Sequence, residues 1–302
     1  VLAGHFERRG KEKTMHKVLL DRNPIDVGPD KASAYALGYS EREFKRLELQ
    51  GAFIRDLTED VLKRAGLTRG MRVLDLGCGV GDVSLMAGEV VGPTGAVLGI
   101  DRSAEAIATA ERRAVETGQC YWVRFAATEL EHFVPDGTFD AIIGRLILMY
   151  LPDPAATLRR LAAHLRPGGI MAFQELAMPA AKIIPDRPLF AKCRCWILDA
   201  FERGGVEIEM GPRLFATFLE AGLPAPEMIA AQRVEAGPET FAYDYVAETL
   251  RSLLPLMEQV GVATAEELEV DTLAERLRRE ALASSACIML PPLVGAWTRI
   301  PA

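Results

Sequence analysis

The chain has 302 residues, of which 49% are hydrophobic and 25% charged, the balance of a globular protein with a sizeable core, so disorder is excluded as a description of the whole. Lys plus Arg number 35 against 42 Asp plus Glu, a formal net charge of -7. A general binder of nucleic-acid phosphates needs the opposite sign. Arg145 interrupts the apolar stretch 142–151 and Pro291 and Pro292 interrupt the one near the C-terminus, so neither reaches the roughly 18 apolar residues of a bilayer span. Neither a nucleic-acid partner nor membrane insertion is expected.

Residues 1–34 read as a partly disordered N-terminal extension, of mixed charge and without the apolar core of a signal peptide. The first residue is Val and Met15 lies inside, which suggests an added segment over 1–14. From 41 to 65 the apolar residues Phe44, Leu47, Ile54, Leu57, Val61 and Leu62 recur at three- and four-residue steps, which predicts a helix. A turn over 66–70 leads to 71–76, which is short, apolar and stopped by glycines, hence a buried strand. Gly77-Cys78-Gly79-Val80-Gly81 follows, and a helix resumes over 82–88. The alternation continues with a strand at 96–100, a helix at 103–117 capped by Ser103, and strands at 120–126 and 139–143. A helix at 154–165, a turn at 166–169 and a strand at 170–174 complete it. Strands alternating with helices predict βαβ units and a parallel sheet covered on both faces. Beyond Leu176 the pattern loosens into helices at 189–203 and 212–221, a strand at 227–234, helices at 238–260 and 265–284, and an extended segment at 293–300. The whole reads as one α/β domain with helical additions, since there is no internal repeat and no linker.

A strand ending in closely spaced glycines and opening a helix brings backbone close to a ligand, with free N–H groups at the helix start. Asp101 follows Gly81 by about twenty residues, at the end of the next strand, where a carboxylate can accept both hydroxyls of a ribose. These two features specify a nucleoside-containing cofactor. A dinucleotide site wants Gly-x-Gly-x-x-Gly, whereas here the third glycine comes one residue early and Asp75 precedes the cluster. A carboxylate there suits a cationic ligand better than a pyrophosphate.

Val73-Leu74-Asp75-Leu76-Gly77-Cys78-Gly79-Val80-Gly81-Asp82 resembles the signature of class I S-adenosylmethionine-dependent methyltransferases, and Gly99-Ile100-Asp101-Arg102-Ser103 resembles their ribose-binding strand. Phe139-Asp140-Ala141-Ile142-Ile143 and Leu165-Arg166-Pro167-Gly168-Gly169 resemble the fourth strand and the turn before the fifth. The resemblance covers 71–175 and is nearest the branch of quinone-biosynthesis and natural-product enzymes. It implies a Rossmann-like, seven-stranded, mostly parallel sheet with helices on both faces and a helical substrate cap. Within a domain spanning 35–302, it implies an entrance helix at 35–66, a cofactor-binding core at 71–176 and cap additions within 180–290.

The implied cofactor is S-adenosyl-L-methionine. Asp75, Gly77, Cys78 and Gly79 would receive its amino-acid part, Asp101 its ribose, Arg102, Glu129 and Leu130 its adenine, and Gly144 and Arg145 its methionine portion. Tyr39, Arg46 and Gln50 belong to the segment resembling the entrance helix, and either Arg46 or Gln50, which share a helix face, would bind the cofactor carboxylate. The implied partner is a small-molecule acceptor, with a homodimer left open.

A sulfonium already activates its methyl group, so the chemistry asks mainly for alignment and exclusion of water. Glu175, at the end of the fifth strand, is the candidate general base, against a structural role. Trp196 and Tyr245 lie in apolar helical stripes that either line an acceptor pocket or form core. The charged helix around 266–280 reads as a solvated face. No acidic pair with Asn resembles a catechol-type metal site, so no metal is implied. The five cysteines, Cys78, Cys120, Cys193, Cys195 and Cys287, lack metal or redox spacing and read as reduced thiols of a cytoplasmic protein. The expected activity is methyl transfer to an O, N or C nucleophile of a small, largely apolar molecule. The alternatives are an NAD-dependent oxidoreductase and a non-catalytic cofactor-binding protein.

Overall fold

Alternate apolar residues of the central strands go to opposite faces of one sheet, and each face is covered by a different set of helices. The computed structural model describes residues 36–38 and 40–301. The order is α1 (Glu41–Phe53), α2 (Arg55–Ala65), β1 (Arg72–Leu76), α3 (Asp82–Val91), β2 (Ala96–Asp101), α4 (Ala104–Glu116), β3 (Val123–Ala127), β4 (Phe139–Arg145), α5 (Pro154–Ala162) and β5 (Leu165–Leu176). It continues with β6 (Lys182–Ile184), α6 (Pro188–Arg203), α7 (Met210–Glu220), β7 (Glu227–Ala231), β8 (Val234–Ala236), α8 (Ala242–Gln259), α9 (Ala265–Leu268), α10 (Val270–Leu282), β9 (Cys287–Met289) and β10 (Leu293–Arg299). The seven-stranded sheet runs β3-β2-β1-β4-β5-β10-β7. It is parallel from β3 to β5, and β10 is antiparallel to both neighbours.

Val73, Ala141, Ile143 and Ala172 pack with Val61 and Leu62 of α2 and Val83 and Met86 of α3. Leu74, Ile142, Met171 and Phe173 pack on the other face, in a core that continues through Leu158, Leu214 and the cap helices. Each large aliphatic side chain fully buried this way contributes about 1.5–3 kcal/mol, so the two-faced register of the strands is strongly specified.

Several elements differ from expectation for local reasons. The predicted helix over 41–65 is two helices, separated at Ile54, where Arg233 donates to the Phe53 carbonyl (3.0 Å) and pairs with Asp56. Arg233 lies between β7 and β8, where the strand expected over 227–234 divides between two sheets, and its carbonyl accepts from Leu290 (3.0 Å). Residues 166–169, expected as a turn, form an irregularity inside β5 opposite Phe139 and Ala141. The predicted helix over 265–284 breaks at Glu269, whose backbone is left-handed at φ 46°, after a capping box made by Thr264 and Glu267. Unforeseen is a small antiparallel sheet, β6-β9-β8.

α10 is not merely a solvated face. Leu273, Leu277 and Ala281 are buried in the core, and Glu280 accepts from the Leu189 and Phe190 N–H groups (3.0 and 3.3 Å), capping α6, which has no side-chain cap of its own. Glu280→Ala leaves those donors without their carboxylate and is expected to lower stability by about 1 kcal/mol, the usual cost of losing a helix cap. Urea unfolding with an unchanged m-value is the check, and an unchanged midpoint contradicts the capping role.

Candidate functional site

Gly77, Gly79 and Gly81 have φ of 62°, 51° and 87°, a left-handed series that residues with a Cβ rarely adopt. The turn carries the chain from β1 into α3. The Cys78 N–H donates to the Ile100 carbonyl and the Gly79 N–H to Asp101 Oδ2, both at 2.9 Å, while Asp101 Oδ1 accepts from Ser103 (2.9 Å). Asp101 thus joins the ends of β1 and β2 at the carboxyl edge of the sheet. A Cβ built on Gly79 meets nothing within 4 Å among the described residues.

Beneath the turn Asp75 is buried, with Oδ2 accepting from Ser84 Oγ (2.6 Å) and Oδ1 without a partner. Burial pushes its carboxyl up to about 7, against the Ser84 hydrogen bond and the Arg145 charge, which pull it down. An orphaned, buried carboxylate oxygen below a glycine cradle fits a cationic group bearing hydrogen-bond donors. Burial also raises the Cys78 thiol, opposing the reactive thiolate.

α1 crosses the turn at close range. A Cβ on Gly51 would lie 2.5 Å from the Asp82 carboxylate, so α1 passes there only because residue 51 is Gly. Asp82 is paired with Arg113 (2.7 Å), which also donates to the Val80 carbonyl (2.5 Å). On the buried side of α1, Arg46 makes two bonds to Glu43 (2.6 and 2.7 Å) and one to Gln50 Oε1 (2.6 Å). The expected shared face of Arg46 and Gln50 exists, and on it Arg46 is paired with Glu43. The partner three residues away was visible as Glu-x-x-Arg spacing.

Other expected residues fall as follows. Tyr39 lies outside the described residues. Arg102 is half-exposed just past β2, and Glu129 is exposed in the segment after β3 beside half-buried Leu130, whose carbonyl accepts from Arg160 (2.6 Å). Gly144 does not open onto a ligand, because Phe173 and Ile147 fill the space a side chain would take. Arg145 points to the α2 face, donating to Thr58 Oγ1 (3.0 Å) and lying 3.9 Å from Asp82. Its charge also bears on the buried Asp75 carboxyl. Trp196 is buried in the cap core with the Lys192 ammonium 4.4 Å above its ring, which favours the core alternative. Tyr245 is half-buried beside Phe241 (ring centroids 6.0 Å apart), which in turn meets Phe53 (5.2 Å).

Glu175 is fully buried. Its Oε1 accepts from the Ile147 and Leu148 N–H groups (3.0 and 2.7 Å), bracing the turn that follows Leu146, a non-glycine residue at φ 57°. Burial pushes its carboxyl up to about 8, against the hydrogen bonds from Leu148, Ile147 and Met149. This burial and the two backbone bonds favour the structural role that stood against the general-base reading, while Oε2 is without a partner among the described residues.

The strand order with its antiparallel β10, and the glycine turn bonded to an acidic second strand, are those of a Rossmann-like methyltransferase fold. In agreement, residues 67–201 match the family model described as a methyltransferase domain. Curated relatives include a trans-aconitate 2-methyltransferase from Azoarcus sp. (strain BH72), 36% identical over 38% of this chain and 43% of that protein. A demethylmenaquinone methyltransferase from Anoxybacillus flavithermus is 29% identical over 47% of this chain and 60% of that one. The chain thus spans about half the length of these relatives. Among solved structures, a putative methyltransferase from Bacillus halodurans C-125 shares the fold with a TM-score of 0.54 at 14% identity, covering 81% of this chain and 99% of that one.

Because Glu175 and Asp75 hold their protons more tightly folded than unfolded, the folded state binds more protons between the ordinary carboxyl range and about 8 and about 7 respectively. Stability is therefore expected to fall as pH rises through that window. Glu175→Gln, which keeps the acceptor for both N–H groups, should flatten the decline of the urea midpoint between about pH 7 and 8. A slope identical to that of the unmutated protein contradicts the assignment.

Proposed function

We propose that the chain transfers a methyl group from S-adenosylmethionine to an oxygen, nitrogen or carbon nucleophile of a small, largely apolar acceptor. The observation that carries this reading is the bond between Asp101 and the Gly79 N–H at the glycine turn. It lies beside the switch point of the sheet, where β1 stands between β2 and β4 and ligands of open parallel sheets bind. The methyltransferase-domain match and relatives named for trans-aconitate and demethylmenaquinone support a small-molecule acceptor.

In this reading Asp101 holds the ribose hydroxyls and the backbone of Gly77, Cys78 and Gly79 lies along the amino-acid part, with the free Asp75 oxygen below it. Arg102, Glu129 and the Leu130 N–H border the adenine. When bound, the cofactor supplies an electrophilic methyl group on a sulfonium. The chain's own task is then to align the acceptor and exclude water. α1 serves as cover, Glu175 keeps the turn after β4 in place, and Tyr245 faces the acceptor side. The division of the chain into an extension at 1–34, entrance helices within 35–66, a core at 71–176 and a cap within 180–290 is part of the proposal. So is a cytoplasmic location, which the free cysteines support. No helix among the described residues is long and apolar enough to cross a membrane.

Asp101→Ala removes two charge-assisted hydrogen bonds to the ribose and is expected to weaken S-adenosylhomocysteine binding by roughly 2–4 kcal/mol. Calorimetry measures this, with NADH as the control that should not bind the unmutated protein. Equal affinity of mutant and parent for S-adenosylhomocysteine contradicts the cofactor assignment.

A further inference from the structure

The seam between α1 and α8 carries an inference about the acceptor, which rests on the methyl-transfer reading and narrows it. Contacts along the seam run in opposite chain directions on the two helices. Arg42 pairs with Glu248 (2.6 Å), the Arg46 and Glu43 charges bear on Tyr245, and the Phe53 ring meets Phe241. Arg46, Gln50 and Phe53 lie at i, i+4 and i+7, one face of α1.

Two hydrogen-bond donors in this seam lack partners. Gln50 is only 7% exposed, and although its Oε1 accepts from Arg46, its amide nitrogen bonds to nothing among the described residues. The Tyr245 hydroxyl likewise bonds to nothing among them. Burial raises the phenol further above its usual range, so it keeps its proton and can donate. Arg46 is matched in charge by Glu43, so among the described residues this face of α1 presents no unpaired carboxylate to a cationic acceptor. Phe53 and Phe241 pack ring to ring (5.2 Å) beside the two donors, with the Arg233 guanidinium 5.3 Å from the Phe53 ring.

We propose that Tyr245 and Gln50 together hold a carbonyl or carboxylate oxygen of a planar acceptor whose ring rests against Phe53 and Phe241. Donors left unpaired in a nearly buried site favour a ligand that completes them and reject one that brings a desolvated cation instead.

The test uses the full chain saturated with S-adenosylhomocysteine and two probes with the same ring, 2-naphthoate and 2-naphthylmethylamine. Calorimetry should show tighter binding of 2-naphthoate. Tyr245→Phe and Gln50→Leu should each weaken that binding by about tenfold, the worth of one hydrogen bond, while affinity for S-adenosylhomocysteine holds. Equal or tighter binding of the amine by the unmutated protein overturns the proposal without needing any variant. Unchanged naphthoate binding in both variants also overturns it, and so does loss of S-adenosylhomocysteine binding in either, which would assign these donors to the cofactor. Failure of S-adenosylhomocysteine to bind the unmutated protein would instead overturn the methyl-transfer reading beneath it.

Discussion

The bond from the Gly79 N–H to Asp101 is the point on which the arrangement of the site depends. β1 and β2 end side by side, and a turn with three positive-φ glycines lets the chain leave β1 without raising a side chain over the strand ends. Asp101 then ties that turn to the neighbouring strand and, through Ser103, to the start of α4. A carboxylate accepting two backbone N–H groups is held in one orientation, so its remaining acceptor capacity is presented in a fixed direction. In the proposed reading, a ligand with vicinal hydroxyls would meet this acceptor with little reorganisation.

The roof of the site is braced by charges removed from water. Burying the Arg46–Glu43 pair, three residues apart within α1, costs desolvation that its attraction only partly offsets. The same helix is fixed against the glycine turn through Gly51 and Asp82, against α8 through Arg42 and Glu248, and at its C-terminal end by Arg233. Below it Arg145 bonds α2 to β4. These contacts place α1 against both the glycine turn and the cap helix α8, which is why the same short helix bears on both halves of the proposed reaction.

Much of the sheet was legible because its signals are local. β1, β2, β4 and β5 are short apolar runs between glycines or charges, and the turn after β1 announces itself by glycine spacing. The small sheet was not legible, since strands of three residues such as 287–289 have too little length to show a period. Direction was the other gap. Arg145 and Glu175 were placed correctly at strand ends, but alternation sends Arg145 to the α2 side, and Glu175 meets N–H groups of a turn remote in sequence. Trp196 and Tyr245 looked equivalent as members of apolar stripes, and only packing separates the core residue from the one in the α1–α8 seam. Likewise Glu280 looked like one of many surface charges, because nothing local says that α6 begins beside it.

The central claim is that the glycine turn with Asp101 holds the cofactor while the α1–α8 seam holds the acceptor. A crystal structure of the chain with S-adenosylhomocysteine tests it most directly. The account predicts the ribose hydroxyls on Asp101, the amino-acid part along Gly77 to Gly79 and the sulfur directed toward the side of Tyr245. Density for the ligand away from Asp101, or with its sulfur turned from the seam, would contradict it.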